Sequence, residues 1–448
     1  MPLYQISVPN KPQVQDNYDL TDNIILASAE INDYEKTLDE IKAKGQYLRK
    51  ISMNSLIKFF DTFTREFIMT ADPKIQTQLA THGLSFLLTF LKRNNLESML
   101  KENFHGNLTI MDEQIYVKGL NKNLIAQPKG VITHWLAGNV PILGMISLIQ
   151  GILTRNVNVV KLSRENGLVL PLLVSLMVQV EAEVDGIKIS GRDIFCGCLF
   201  LYCEKDDIQG QQSLSLNSDI RVAWGGRAAV ENVMSLTRRY GTEDVIFGPK
   251  YSFAVIGRNS INMNKISDFM YRLALDASVF DQQGCNSPHT VFVEQGGALE
   301  GEPFAQHLAN AMGELLKRIP RNQISSDEAY SVVNIRSEYF FTGKVFSSEG
   351  TEWTVIYSEE EGLADACYSR IVFVRPVKNL DQVLNYIKPK QHQTIGLSIA
   401  MEQKDEFVKK AAARGIERIT EIGKMTVYDH PWDGIFPMDR FVRWVSIF

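Results

Sequence analysis

The stretch GVITHWLAGNVPILGMISLIQGILTRNVNVVKLS, residues 130–163, decides the fold class. It opens on an apolar run at 131–136 and closes on a second at 157–161. Residues 130–154, which include the first run, carry no Asp, Glu, Lys or Arg. Pro141 suits the first turn of a helix, where its missing N–H is not needed, so the spacing predicts a buried helix near 141–153. Strand, turn, uncharged helix, strand is the building unit of a mostly parallel sheet covered on both faces.

The pattern continues outward. Candidate strands at 195–203, 220–224, 245–247 and 252–256 alternate with helices near 167–180 and 228–239. A helix near 264–277 opens a second alternating block. Its strands are expected at 289–293, 353–357, 371–374, 394–399 and 425–428, with helices near 302–317, 378–387 and 404–414. Upstream, 32–100 reads as helical, and the stripe Phe59, Phe60, Phe63 and Phe67 reads as core packing rather than a lipid groove. Between 108 and 125 the pattern shortens into a hairpin or extended arm. The expectation is an α/β chain of two α/β domains with a cleft between them and a small bridging arm. The helical region and first domain are placed at 1–257 with the arm at 106–128, the second domain at 258–430, and a tail at 431–448.

Composition narrows the function. The 448 residues hold 47 Lys and Arg against 52 Asp and Glu, a net charge of -5, with no basic stripe, so nucleic acid is not the expected partner. Five cysteines without a regular framework point to a reducing compartment. Cys196-Gly-Cys198 lacks a second ligand pair and the seven histidines are dispersed, so no metal site is expected. The first twenty residues lack a secretory pattern, and the apolar stretches 130–154 and 168–180 are interrupted by polar residues and prolines. A cytoplasmic enzyme fits this composition; an integral membrane protein does not.

Four segments carry candidate chemistry. Asp281-Gln-Gln-Gly-Cys285-Asn-Ser-Pro-His289 places a cysteine at a strand-entry loop, where a thiolate can attack a carbonyl, although a structural cysteine is an equal reading. Asn139, in the turn before Pro141, offers an amide donor for an oxyanion or a helix cap. His134 reads as strand packing. Lys161 ends a strand and Ser163 begins the next turn, at the ligand-facing edge of a parallel sheet. Trp224-Gly225-Gly226-Arg227 has the same placement, with two glycines permitting backbone approach to a pyrophosphate and Arg227 starting a helix.

Taken together, in this order and approximate spacing, these segments resemble the aldehyde dehydrogenase superfamily. Asn139-Val-Pro141 is similar to its oxyanion turn, Val160-Lys161-Leu162-Ser163 to the strand end that contacts the adenosine side of the cofactor, and Trp224-Gly225-Gly226 to the turn near the cofactor phosphates. Gln283-Gly284-Cys285 falls at the nucleophile. A closer resemblance is to the LuxC-like long-chain acyl-CoA reductases of bacterial luminescence. It rests on His134-Trp-Leu-Ala-Gly-Asn-Val-Pro141, Arg221-Val-Ala-Trp-Gly-Gly226, Arg418-Ile, Gly423-Lys-Met425, Trp432-Asp-Gly434 and Arg443-Trp444-Val445. One departure matters: Phe247-Gly248-Pro249-Lys250 stands where an oxidising member has its water-activating glutamate.

The resemblance implies that Cys285 takes an acyl group from a thioester, with Asn139 and the Cys285 N–H at the oxyanion. Hydride then reduces the Cys285 thioester to a fatty aldehyde. It implies NADPH, with NADH as the alternative, held by Lys161, Ser163, Gly225, Gly226 and Arg227. The donor is acyl-CoA, a carrier protein or an acyl-protein synthetase, and the chain is expected to form homo-oligomers. Two other readings stay open: a CoA-dependent or hydrolytic aldehyde dehydrogenase, and a cofactor-binding scaffold without catalysis.

Overall fold

A computed structural model describes residues 18–21, 24–27, 34–80, 82–138, 140–162, 169–203, 206–322 and 324–448. They fold as two compact units, one taking the described residues up to Gly248 together with Phe436–Phe448, the other Pro249–Ile435. The first unit is built on a seven-stranded sheet. Its order is Tyr18–Thr21, Ile24–Ala27, Cys198–Tyr202, Val157–Leu162, Val131–Trp135, Ile220–Trp224, Glu243–Phe247. All neighbours run parallel except the first pair.

Period-two alternation along these strands serves two cores. Val131, Trp135, Val159, Leu199, Leu201 and Ala223 face one side, against Tyr34, Leu38 and Ile41 of the helix Tyr34–Gly45 and Val230 and Val233 of Arg227–Ser235. The uncharged helix Pro141–Leu153 is buried almost all round, which explains its lack of a polar face. From Val131–Trp135 the chain steps outward on one side, then returns to Ile220–Trp224 on the other. That reversal is a topological switch point, and it is outside the carboxyl ends of the strands at such a point that open parallel sheets hold ligands.

Phe59, Phe60, Phe63 and Phe67 are buried faces of the helix Met53–Thr70. Within the expected arm, Ile115–Val117 and Lys122–Pro128 form an antiparallel ribbon, and the C-terminal strand Val442–Ile447 pairs along it from Val442 opposite Pro128. The Asn156 side chain locks this sheet to the main one: its Nδ2 donates to the Phe441 carbonyl at 3.0 Å while its Oδ1 accepts from Gly130 N–H at 2.9 Å.

The second unit has its own seven-stranded sheet, ordered Lys344–Ser347, Thr354–Tyr357, Ile371–Val377, Pro288–Glu294, Tyr251–Ile256, His392–Ser398, Arg418–Glu421. Only the first pair is antiparallel. Ala254, Ile256, Val291 and Val293 pack under the helices Ile266–Ser278 and Gly301–Leu316, whereas Phe253, Val255, Ile395 and Leu397 pack under Leu380–Leu384 and Met401–Ala413.

Two expectations need correction. The strand Tyr251–Ile256 was placed with the first domain, ending at 257; it pairs with Pro288–Glu294 and His392–Ser398 and so belongs to the second sheet. The strand expected at 425–428 is a turn, and Arg418–Glu421 takes the sheet position instead. The cause is side-chain capture of the backbone. Asp276 accepts the Met425 N–H at 3.0 Å, and Arg418 donates to the carbonyls of Lys424, Met425 and Val427 at 3.0, 2.8 and 3.1 Å. Groups spent on side chains are not free for a ladder.

Candidate active site

Cys285 stands three residues before the strand Pro288–Glu294, in a segment held from several sides. Phe280, Asp281 and Gln282 are left-handed, with φ of 53°, 51° and 66°, conformations that cost non-glycine residues about 1 kcal/mol or more each. What holds them is specific. The buried Asp281 carboxylate accepts from Arg370 Nε at 2.7 Å, and Arg370 donates further to the carbonyls of Ile319 and Pro320 at 2.9 and 3.2 Å. Gln282 bonds both edges of the strand entry, giving Nε2–H to the carbonyls of Pro288 and Ile371 and accepting the Ile371 N–H. A Cβ on Gly284 would lie 2.7 Å from Asn286 Oδ1, so a side chain there would have to displace the Asn286 amide. Asn286 in turn donates to the Met425 carbonyl at 2.7 Å.

Parallel strands begin at one edge of their sheet, so residues just before neighbouring strands are brought together. That edge gathers Cys285, Lys250 before Tyr251–Ile256, Gln393 at the start of His392–Ser398, and Glu417 before Arg418–Glu421. Ser252 stitches three of these segments. Its hydroxyl donates to the Cys285 carbonyl at 2.7 Å and accepts the Thr394 N–H at 3.1 Å. Lys250 pairs with Glu417 at 2.8 Å. The Gln393 side chain donates to the Asp433 carboxylate, while its own carbonyl accepts from the Thr394 hydroxyl at 3.3 Å.

The electrostatics of this cluster are balanced around a crowded thiol. Burial, then the Asp433 carboxylate, push Cys285 up to about 12, against the pull of the Gln393 donor and the Lys250 cation. Burial also raises Asp433 to about 6, opposed by Gln393 and Lys250 and assisted by Glu417. Cys285 retains partial solvent access, unlike the buried Cys196, Cys198 and Cys203. Burial drives the Cys196 thiol up to about 11, and among the described residues no group of three or more His, Cys, Asp or Glu is placed to hold a metal.

In the first unit, Lys161, Gly225, Gly226 and Arg227 share the carboxyl edge of the sheet. Lys161 lies opposite Trp135, and Gly225 donates its N–H to the Phe247 carbonyl at 3.1 Å. Trp224 stacks on Phe247 with ring centroids 3.8 Å apart, a flat aromatic floor at the ends of these two strands. Gly226 caps the helix Arg227–Ser235, and a Cβ built on it meets nothing within 4 Å, so the helix start faces open space that a side chain would fill. Arg227 is exposed and pairs with Glu231 one helical turn away at 2.9 Å. A glycine-opened helix N-terminus beside an arginine suits a dinucleotide phosphate.

Asn139 and Ser163 lie outside the described residues. Lys161, Gly225, Gly226 and Arg227 are brought together at one sheet edge, and Cys285 belongs to the other unit. His134 is a packed, neutral strand residue, hydrogen-bonded to Ser147 and Asn158 at 2.9 and 3.1 Å and lowered to about 4 by burial. Sequence reasoning assigned no role to Gln393 or Asp433. The start of the 394–399 strand marked the place of Gln393, since parallel neighbours share an edge. Asp433 was visible only as part of Trp432-Asp-Gly434.

Comparison with known proteins agrees with this architecture. The acyl-CoA reductase (LuxC) family model matches residues 48–444. A long-chain acyl-protein thioester reductase of Vibrio harveyi is 27% identical over 457 residues, covering 94% of this chain and 91% of the relative. Its counterpart in Photorhabdus luminescens is 24% identical, covering 98% and 86%. Among solved structures, aldehyde dehydrogenase 21 of Physcomitrella patens aligns with a TM-score of 0.66 at 12% identity, over 93% of this chain and 90% of that one. Succinic semialdehyde dehydrogenase of Streptococcus pyogenes, in complex with NADP+, aligns with a TM-score of 0.66 at 10% identity, over 94% and 96%. The chain therefore belongs to the acyl-CoA reductase (LuxC) family and has the aldehyde dehydrogenase fold.

Proposed function

We propose that this protein reduces a long-chain acyl thioester to the aldehyde through an acyl-Cys285 intermediate, with NADPH as reductant. The observation that carries the reading is the placement of Cys285: a partly accessible thiol on a rigidly tied strand-entry loop, in a chain of this family. The names of the Vibrio harveyi and Photorhabdus luminescens relatives support an acyl thioester as substrate, and the NADP+ of the Streptococcus pyogenes structure supports the nucleotide.

Attack by the Cys285 sulfur on the thioester carbonyl forms a tetrahedral oxyanion, for which Asn139 and the Cys285 N–H are the proposed donors. The incoming thiol, of CoA or of an acyl-carrying protein, leaves as its C–S bond breaks. NADPH, when bound, supplies the hydride that reduces the Cys285 thioester. The thiohemiacetal on Cys285 then collapses, the C–S bond electrons return to sulfur, and aldehyde departs. Lys161, Ser163, Gly225, Gly226 and Arg227 are the proposed nucleotide-binding residues, and the open helix start at Gly226 fits a phosphate.

No glutamate stands at 247–250 to activate water, which favours hydride or thiol over hydrolysis. Asp433, beside Cys285, is the specific observation that favours a hydrolytic dehydrogenase instead. A panel of acyl-CoA and acyl-carrier thioesters with NADPH or NADH separates the two readings. The proposal expects nucleotide consumption matched by aldehyde; rapid turnover of aldehyde and NADP+ to free acid without CoA would refute it. Homo-oligomers joined through the Ile115–Val117, Lys122–Pro128 and Val442–Ile447 sheet belong to the same proposal.

A further inference from the structure

We propose that Asp276 is a positioning residue for Cys285, acting through the turn at 423–426 and the Asn286 side chain. The inference rests on the reading of Cys285 as the acyl-carrying nucleophile.

Asp276 is ill suited to its own helix. It stands in the last turn of Ile266–Ser278, where a negative charge opposes the helix dipole, and it is fully buried. Both of its oxygens serve another segment instead. Oδ2 accepts the Gly423 N–H at 2.5 Å and Oδ1 accepts the Met425 N–H at 3.0 Å. Buried backbone groups need partners, and in a turn outside the sheet ladder the carboxylate supplies them. The same helix grips the turn a second time. Arg272 Nη1 donates to the Ile422 carbonyl at 3.3 Å, and Gly423, with φ of 92°, leaves no room for a side chain, since a Cβ would lie 2.8 Å from Arg272 Cβ.

The Met425 carbonyl carries this placement onward. It accepts from Asn286 Nδ2 at 2.7 Å and from Arg418 Nη1 at 2.8 Å, which occupies both lone pairs. Asn286 is the third residue of a tight turn over 284–287, closed by the Ser287 N–H on the Gly284 carbonyl at 3.0 Å, and Cys285 is the second. The peptide between Cys285 and Asn286 is therefore pinned twice. Its oxygen accepts from Ser252 at 2.7 Å, and the side chain that follows it is fixed on Met425. The tilt of this peptide is coupled to the backbone angles of Cys285, and so to where the sulfur is held. Arg418 also donates to the carbonyls of Lys424 and Val427, so it keeps the carbonyls of the 423–426 turn in place when the N–H groups are released. Loss of Asp276 thus tilts the turn rather than unfolding it.

The test measures acylation of Cys285 by a long-chain acyl-CoA without nucleotide, read by mass spectrometry on the full chain. It is run at pH 8, where the Asp276 carboxyl, raised by burial to about 7, is ionised. Asp276→Asn keeps one acceptor and should slow acylation about tenfold, whereas Asp276→Leu keeps none and should slow it about 100-fold. Asn286→Ala should also lose about 100-fold, with the half-saturating acyl-CoA concentration unchanged in all three. Because the relay runs through Asn286, adding Asp276→Asn to Asn286→Ala should cost at most about twofold more. A merely structural Asp276 would multiply the two losses instead. Multiplied losses, or parent rates in the Asp276 variants with native circular dichroism, would overturn the inference. If Asp276→Leu does not fold, the cycle with Asp276→Asn decides. Hydrogen exchange of peptides covering 284–290 reads the same relay without acyl chemistry: it should accelerate about tenfold in Asp276→Asn and, relative to Asn286→Ala, no further in the double variant. That exchange pattern in a protein that never acylates Cys285 sinks the proposed function and leaves the relay standing. Parent acylation with multiplied losses does the reverse.

Discussion

Replacing Asp281 by alanine tests whether the Cys285 loop is held by its ion pair. Arg370 is 2% exposed, and its Nε lies 2.7 Å from Asp281 Oδ1. Removing the carboxylate leaves a buried guanidinium uncompensated, which costs about 3–5 kcal/mol. The weak bond from Asn322 N–H at 3.3 Å adds about 1 kcal/mol. Against this, the pair ties down two left-handed runs, 280–282 and 368–370, all six residues having φ between 51° and 66°. At about 1 kcal/mol for each residue, freeing one run returns about 3 kcal/mol. The net expected loss is about 1–3 kcal/mol, expressed locally as opening of the segment that carries Cys285. Hydrogen exchange of peptides covering 279–290 should accelerate by roughly 5- to 150-fold, at 1.4 kcal/mol per tenfold. Acylation of Cys285 should slow by about 100-fold through misplacement of the sulfur. Adding Arg370→Met should recover part of the protection, because removal of both charges leaves no buried ion alone. Unchanged exchange in Asp281→Ala, or a double variant worse than the single, would refute the reasoning.

Arg221 is fully buried, paired bidentately with Asp244 at 2.6 and 2.8 Å and bonded to Ser215 and the carbonyls of Val233 and Leu236; because Asp244 also pairs with Arg238 at 2.5 Å, Arg221→Met should destabilise the first unit by about 1–3 kcal/mol in urea unfolding. Burial raises Asp276 to about 7, so the folded state holds a proton that the unfolded chain releases near pH 4. Its contribution is full below that pH and fades as pH rises through 7, and Asp276→Asn should narrow the gap in thermal midpoint between pH 5 and pH 8.

How far the sequence could be read depended on what each segment buries. The strands Val131–Trp135 and Ile220–Trp224 are buried at every residue, and the helix Pro141–Leu153 begins on its proline, so apolar runs and a helix-start signal located them. The helix Ser326–Tyr339 was missed because it buries only Val332 and Tyr339; its signal was the Ser325 and Glu328 capping box. The hairpin Glu181–Val184 with Ile187–Ser190 was missed too, although Asp185-Gly186 is a strong hairpin turn, with φ of 51° and 78°. At the proposed site, the loop around Cys285 read by itself equally as a structural segment, and only the ordered set of segments shared with the family singled the cysteine out. Gln393 and Asp433 were not legible, because their meaning lies in a hydrogen-bond pattern between segments 40 residues apart.

The central claim is a covalent acyl group on Cys285, and the most direct measurement is to trap it. Full-length protein incubated with a long-chain acyl-CoA and no nicotinamide nucleotide should gain one acyl mass on the peptide containing Cys285. Addition of NADPH should discharge that mass as aldehyde, and Cys285→Ser should show neither event. An acyl group found on Cys196, Cys198, Cys203 or Cys367 with Cys285 unmodified, or NADPH-dependent aldehyde formation by Cys285→Ser at the parent rate, would contradict the account.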